Sequence, residues 1–199
     1  LLLGFSRGGY LGVLAATLFS LICIGIKGGE KTKRIILAGT LLVILLLISI
    51  TPIRARLLST FNLQGGSVRG RIIIWKKALD VFSQNPIFGV GLGNYAYRIN
   101  PAASYRFPIY AHNTYLDIAT EAGIIGLLAW LLFLGSAFWA PIKKFLTAQI
   151  SENKKTSLAL GAALVYFGVH SFFETPIFSP RILPLLTILI AATSTLIKE

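Results

Sequence analysis

Methionine is absent from the 199-residue sequence, and cysteine and charged residues are scarce. Because no methionine is present, Leu1 is not an initiator residue, and we expect the chain to be part of a longer protein. The single cysteine, Cys23, excludes an intrachain disulfide and hence a disulfide-stabilised secreted module. Charged residues make up only 13% of the chain, against about 25% in soluble domains, which excludes a cytosolic enzyme and a disordered tail.

Apolar residues dominate instead, at 55% of the chain with a mean hydropathy of +0.75. A helix needs about 20 mostly apolar residues to cross a bilayer, and five segments meet this requirement: residues 9–26, 35–53, 124–140, 157–173 and 182–197. Gly123 and Pro141 flank the third segment as start and stop signals. The sequence therefore predicts an all-α membrane protein with about five transmembrane helices.

The short connections between these segments predict the orientation of the chain. Residues 27–34 and 143–155 are rich in lysine, as cytoplasmic loops are. We therefore expect a multi-pass protein of the cytoplasmic (inner) membrane, with two spans in residues 1–53, a periplasmic or extracellular loop over residues 54–123, and three spans in residues 124–199. Apart from Cys23 and tyrosines, His170 is the one ionisable residue in the predicted spans, which weighs against an ion transporter.

The long outer loop carries more than half of the net charge. Between residues 54 and 112 there are eight basic residues and one acidic residue, a net charge of +7 out of +12. Six of the eight are arginines, whose planar guanidinium binds phosphate oxygens in pairs. The alternatives are that long loops are translocated whatever their charge, or that the arginines contact lipid headgroups. On the functional interpretation the loop binds a lipid-linked diphosphate, through candidates that include Arg69, Arg71, Arg98 and Arg106.

Residues 69–84 read as an amphipathic helix lying in the membrane interface. Apolar residues recur at helical spacing and Asn85-Pro86 ends the pattern; the apolar positions are Ile72, Trp75, Leu79 and Phe82. Trp75 is then expected at headgroup depth, with Arg69 and Arg71 in the N-terminal turn, where backbone N–H groups favour anions. A plain surface anchor with solvated arginines is the alternative. The glycines that follow, at positions 89, 91 and 93, lack the dinucleotide fingerprint and predict a tight turn beside the membrane.

His112 is the leading catalytic candidate. Thr114 and Asp117 resemble a capping box, so a helix is expected to begin there and to run towards Glu121. His112 would then lie just before a helix on the outer face, where a neutral imidazole can accept a proton from a sugar hydroxyl as a general base. The alternative is a structural histidine bonded to a backbone carbonyl.

Three further residues are second-rank candidates: Glu121, His170 and Glu174. His170 is more typical of a helix-packing hydrogen bond, and Glu174 is expected to pair with an arginine or to bind a sugar hydroxyl. The sequence contains no Asp-x-Asp pair and no Cys/His cluster. We therefore expect no metal, no cofactor and no nucleic-acid partner.

Four short motifs, in this order, resemble the O-antigen ligase / O-antigen polymerase family of membrane proteins. The resemblance covers roughly residues 6–134, and its motifs are Ser6-Arg7-Gly8-Gly9, Arg71-x-x-x-Trp75, Asn85-Pro86-x-x-Gly89-x-Gly91-x-Gly93-x-Tyr95, and Ala111-His112-Asn113-x-Tyr115-Leu116 followed by Glu121-x-Gly123. The resemblance implies the C-terminal portion of a polytopic glycosyltransferase that takes a glycan from undecaprenyl diphosphate, without nucleotide sugar or metal. The acceptor would be another glycan or the lipid A core.

The resemblance also implies roles for individual residues. Arg7 and Arg71 would hold the diphosphate, and His112 would activate the acceptor hydroxyl. Arg69, Arg98 and Arg106 have no family counterpart, so their candidacy depends on charge alone. Ligase, polymerase and protein O-glycosylation remain open, as do two other classes: a transporter of lipid-linked sugar or polysaccharide, and a non-catalytic membrane subunit.

Overall fold

The computed structural model describes residues 7–27, 29–49, 51, 55, 66–103, 109–147 and 151–198, and in these ranges every regular element is helical. The all-α expectation is therefore confirmed for the described residues. The helices are α1 (Arg7–Lys27), α2 (Glu30–Ser49), α3 (Gly66–Gln84), α4 (Tyr95–Ile99), α5 (Thr114–Thr147), α6 (Ser151–His170), a 3-10 turn (Pro176–Phe178) and α7 (Ile182–Lys198).

Two of the described helices are long and apolar enough to cross a membrane, Gly8–Ile26 in α1 and Thr114–Thr147, which is α5. Only 22% and 11% of the residues in their most apolar windows are buried. A core helix of a soluble protein would be mostly buried, so this exposure fits side chains that contact lipid. Helices α2, α6 and α7 overlap in sequence with the other three predicted spans. That these helices cross the membrane stays a prediction.

Pro141 was expected to act as a stop signal but does not end its helix, and the position at which the third span ends stays a prediction. Helix α5 continues through Pro141 to Thr147. Pro141 is fully buried, and a Cβ placed at Gly161 would lie 3.9 Å from its Cβ. A proline removes one backbone hydrogen bond, and membrane helices accept that loss where neighbouring helices pack around it.

The chain divides into two compact units, of which the first contains residues 1–62, 137–170 and 185–199. In this unit α1 packs along α6, with glycines facing aromatic rings. A Cβ at Gly12 would lie 2.8 Å from the ring of Tyr166, and one at Gly161 would lie 3.0 Å from the ring of Phe19. Small residues thus allow the close helix approach that is common inside membranes.

The second unit contains residues 63–136 and 171–184 and holds most of the predicted loop. Its core consists of Ala78, Tyr95 and Ala111, surrounded by partly buried side chains from α3, α4 and α5: Ile74, Val81, Ile99 and Leu116. Helix α3 ends at Gln84 as predicted but begins at Gly66, earlier than expected. Arg71 therefore lies in the second turn of α3, and the expectation that it occupies the N-terminal turn is wrong.

Helix α5 is broken at Gly123, whose φ of 67° and ψ of −167° are not helical. The break frees the carbonyls of Thr120 and Glu121, which accept hydrogen bonds from Val90 N and Gly91 N, both at 2.9 Å. The predicted glycine turn is thus present, and it satisfies backbone groups that a helix break would otherwise leave unpaired.

Candidate functional site

The backbone at His112 adopts a left-handed conformation, with a φ of 51°. It is the one non-glycine residue with a positive φ among those described. Both backbone groups of the buried Ala111 are bonded: its N–H donates to Asp117 Oδ1 at 2.7 Å, and its carbonyl accepts from Trp75 Nε1 at 3.0 Å. A non-glycine residue in this region persists where its surroundings fix it, and such residues cluster at functional sites.

Asn113 caps the helix that follows His112. Its Oδ1 accepts hydrogen bonds from the backbone N–H groups of Tyr115 and Leu116, at 3.0 and 3.1 Å. The predicted capping box with Thr114 as the cap is therefore wrong, although the helix begins where it was expected. Asparagine and threonine both cap helices well, so the local pattern could not decide between neighbours. Thr114 instead contacts a segment that is distant in sequence.

That distant segment is residues 171–175, which connects α6 to the 3-10 turn and carries Glu174. Thr114 N donates to Ser171 O at 2.8 Å, and Thr114 Oγ1 donates to Glu174 O at 3.1 Å. Thr175 Oγ1 donates to Asp117 Oδ2 at 2.5 Å. These three bonds position the Glu174 backbone beside the first turn of α5.

The Glu174 carboxylate joins two of the sequence-predicted residues. Its Oε1 lies 2.6 Å from Arg71 Nη2, and its Oε2 lies 3.1 Å from His112 Nδ1. The structure thus brings together Arg71, His112 and Glu174, which are far apart in sequence. We call these three side chains the charged cluster.

The charged cluster determines which nitrogen of His112 can act as a base. An ionised carboxylate only accepts hydrogen bonds, so the proton lies on Nδ1, which donates to Glu174. In a neutral ring the lone pair is then on Nε2, for which the described residues supply no partner. The His112 side chain is 49% exposed, so a substrate hydroxyl can reach the ring. This is the arrangement by which a carboxylate orients a general-base histidine.

Trp75 supports the charged cluster, and its expected position at headgroup depth stays a prediction. Its indole N–H donates to the carbonyl of Ala111, the residue before His112. Arg71 and Trp75 are four residues apart and so lie on one face of α3. That single helix face therefore holds the Glu174 carboxylate through Arg71 and the Ala111 carbonyl, next to His112, through Trp75.

The other predicted site residues lie in different settings. Arg69 and Arg98 are exposed, and neither pairs with a carboxylate among the described residues. Glu121 is buried, beside the backbone N–H groups of Gly93 and Tyr95, so its role is to hold the glycine turn. His170 ends α6, and its ring stacks on Tyr166 at 5.6 Å. The side chain of Arg7 and the whole of Arg106 lie outside the described residues.

The sequence analysis did not predict three supporting residues. Trp75 donates a hydrogen bond to the Ala111 carbonyl, and the buried Asp117 accepts hydrogen bonds from Ala111 N and from the hydroxyl of Thr175. Helical spacing from Arg71 was a usable signal for Trp75. No local pattern connects Asp117 to Thr175, because the contact joins segments 58 residues apart. In the part of the chain that the structure describes, no three His, Cys, Asp or Glu side chains form a group that could hold a metal ion.

Comparisons with known proteins match the part of the chain that contains the sequence motifs. A family model described as O-antigen ligase matches residues 1–131, which is well over half of the chain. The exopolysaccharide production protein ExoQ of Rhizobium meliloti (strain 1021) is 25% identical over an alignment of 127 residues, covering 57% of this chain and 28% of that protein. The chain thus spans less than a third of the length of that relative. No solved structure matches this chain. The resemblance found in the sequence is confirmed, and the chain belongs to the O-antigen ligase family.

Proposed function

We propose that the protein containing this chain transfers a glycan from a polyprenyl diphosphate carrier to an acceptor hydroxyl on the outer face of the cytoplasmic membrane. Membership of the O-antigen ligase family and similarity to an exopolysaccharide production protein support a role in cell-surface polysaccharide biosynthesis. The observation that carries the proposal is the contact of His112 Nδ1 with a carboxylate that is itself paired with Arg71.

In the proposed reaction His112 is the general base. Nε2 takes the proton of the acceptor hydroxyl while the hydroxyl oxygen attacks the anomeric carbon of the donor glycan. The bond between that carbon and the diphosphate oxygen breaks, and polyprenyl diphosphate leaves with the electron pair. Glu174 holds the ring and stabilises the imidazolium that forms. A single displacement of this kind inverts the anomeric centre.

Arginine side chains would stabilise the leaving group. Arg71 uses Nη2 on Glu174, and the described residues supply no partner for its other guanidinium donors, which would bind diphosphate oxygens. Arg69 is exposed on the same helix, and Arg7 is the diphosphate-binding residue that the family resemblance implies. Fixed positive charge facing a developing anion is worth several kcal/mol in a site of low dielectric. No metal or cofactor takes part in this scheme.

The acceptor in this proposal is a hydroxyl of a second glycan or of the lipid A core. The same cluster would serve a ligase, a polymerase or a protein O-glycosylation enzyme, because each delivers a hydroxyl to the same leaving group. The lysine-rich connections between the predicted spans support the placement at the outer face.

The substitution His112→Ala tests the proposal in the intact protein, expressed in cells that lack the native gene. We expect surface glycan transfer to fall by about 100-fold or more, the usual contribution of a general base, and carrier-linked glycan to accumulate at the outer face. The matched control is Lys76→Ala, an exposed residue of the same unit, which should leave transfer unchanged at equal protein level. Normal transfer by His112→Ala would refute the mechanism. Accumulation at the cytoplasmic face would favour a transporter instead.

A further inference from the structure

The glycine turn between α3 and α4 exposes large apolar side chains. Ile87, Phe88 and Leu92 are 54%, 76% and 83% exposed, and we call these three residues the turn tip. The sequence from residue 81 to residue 97 contains no charged residue. Exposed apolar clusters of this kind mark a surface that another apolar phase covers.

The turn tip is attached to α5 at the point where the predicted span of residues 124–140 begins. Ile124 N donates to Pro86 O at 2.8 Å, and a Cβ at Gly123 would lie 2.6 Å from Phe88 N. Backbone therefore contacts backbone at the point where the apolar part of α5 begins. Large exposed apolar side chains continue from there along α5: Ile124, Ile125, Leu128, Leu131 and Leu132. The turn tip thus lies beside the start of the exposed apolar part of α5.

The same turn is joined rigidly to the charged cluster. The buried Glu121 lies against the backbone N–H groups of Gly93 and Tyr95, so it holds the end of the turn. Tyr95 is 1% exposed and packs with Ala111, the residue before His112. The depth of the turn tip therefore sets the depth of His112.

We propose that the turn tip inserts into the outer leaflet of the bilayer and thereby fixes the height of His112 above the hydrocarbon core. The partner is lipid, because the tip is apolar, lacks charge and is bonded to the start of a span that itself faces lipid. Arg98, exposed at the end of α4, follows the uncharged stretch and fits the headgroup region. The effect on transfer depends on the proposed function, whereas insertion does not.

Spin labels on single cysteines, introduced into the full protein on a Cys23→Ser background in phosphatidylethanolamine/phosphatidylglycerol vesicles, measure this depth. Phe88→Cys and Leu92→Cys are compared with Leu132→Cys, which is 74% exposed on α5, and with Asn100→Cys in an exposed polar turn. We expect oxygen to collide with labels at 88, 92 and 132 more often than a water-soluble nickel chelate does, and the reverse at 100. A water-like result at 88 and 92 would overturn the proposal. So would low access to both reagents, which would show coverage by protein.

Glycan transfer activity tests whether the depth of the turn tip affects the reaction at His112. The paired change of Phe88 and Leu92 to serine should lower glycan transfer severalfold, while the paired exchange Phe88→Leu with Leu92→Phe should retain it because the tip stays apolar. Full transfer by the serine variant would overturn the link between tip depth and His112. Because the label measurement needs no transfer, it separates a failure of insertion from a failure of the proposed function.

Discussion

The carboxylate of Glu174 connects residues that the sequence presents separately. It uses one oxygen for Arg71 and the other for His112, so neither partner is positioned independently. Glu174 is partly buried, with 34% of its side chain exposed, and its backbone carbonyl is bonded by Thr114. Glu174 is therefore a positioning residue for the histidine in the proposed reaction.

The substitution Glu174→Gln should lower kcat for glycan transfer by about 100-fold, because an amide can turn its NH₂ towards Nδ1 and does not stabilise the imidazolium. We expect the KM for the acceptor to change little and Glu174→Asp to restore part of the rate. Glu152→Gln is the matched control, since Glu152 makes an exposed ion pair with Lys155 that contributes little. Kinetics of the purified full protein measure both constants, and an unchanged kcat in Glu174→Gln would contradict the assignment.

Replacement of Arg71 by lysine keeps the charge and removes the planar fork. We expect transfer to fall about 10- to 100-fold, the loss of one charge-assisted hydrogen bond worth about 1.5–3 kcal/mol. The control Lys77→Arg makes the reverse change at an exposed position of α3. Transfer assays on membranes with equal protein content make the comparison. Wild-type activity of Arg71→Lys would show that charge alone is sufficient.

The break in α5 determines how the glycine turn meets that helix. Gly123 has a positive φ, and its missing side chain leaves room for the Ile87 carbonyl. Gly89 has the same property, since a Cβ there would lie 2.4 Å from the carbonyl carbon of Glu121. Two glycines thus allow direct backbone contact between the turn and the helix, which no larger residue would permit.

The substitution Gly123→Ala should destabilise the protein by more than about 3 kcal/mol, because its Cβ would lie 2.1 Å from Ile87 O in a conformation that alanine avoids. Gly135→Ala lies in the same helix with nothing within 4 Å, so we expect it to be neutral or to stabilise by about 0.5–1 kcal/mol. Thermal unfolding in detergent compares the two variants. Equal stability would show that the contact between turn and helix is not required.

Charge distribution along the chain predicts the sidedness of the proposed reaction. The lysine-rich connections predict a cytoplasmic location, and the arginine-rich loop with His112 is then outside. Two described helices have the length and apolar surface of spans, which supports membrane integration without deciding direction.

Cysteine labelling in intact cells tests this orientation. On a Cys23→Ser background, we expect Asn100→Cys to react with a membrane-impermeant maleimide, and Lys155→Cys to react only after permeabilisation. Both positions are exposed, so a difference reports sidedness and not burial. Labelling in the opposite pattern would place His112 in the cytosol, away from an outer-face reaction.

Local chemistry predicted most of the helices and most of the candidate residues. Apolar run length predicted the helical class, Asn85-Pro86 predicted the end of α3, and an isolated histidine before a helix start drew attention to position 112. These signals depend on residues within a few positions of each other. The errors at Pro141 and Thr114 arose where distant packing or bonding overrode such a signal.

The amino-acid sequence alone determined that this chain is helical, integrates into a membrane and resembles the O-antigen ligase family, because composition, periodicity and short motifs are local properties. Only the tertiary structure decided that Glu174 joins Arg71 to His112, that Trp75 holds the Ala111 carbonyl, and that the His112 backbone is left-handed. These contacts link segments 36 to 103 residues apart. Their geometry depends on how these distant segments pack together, which no short window of sequence contains.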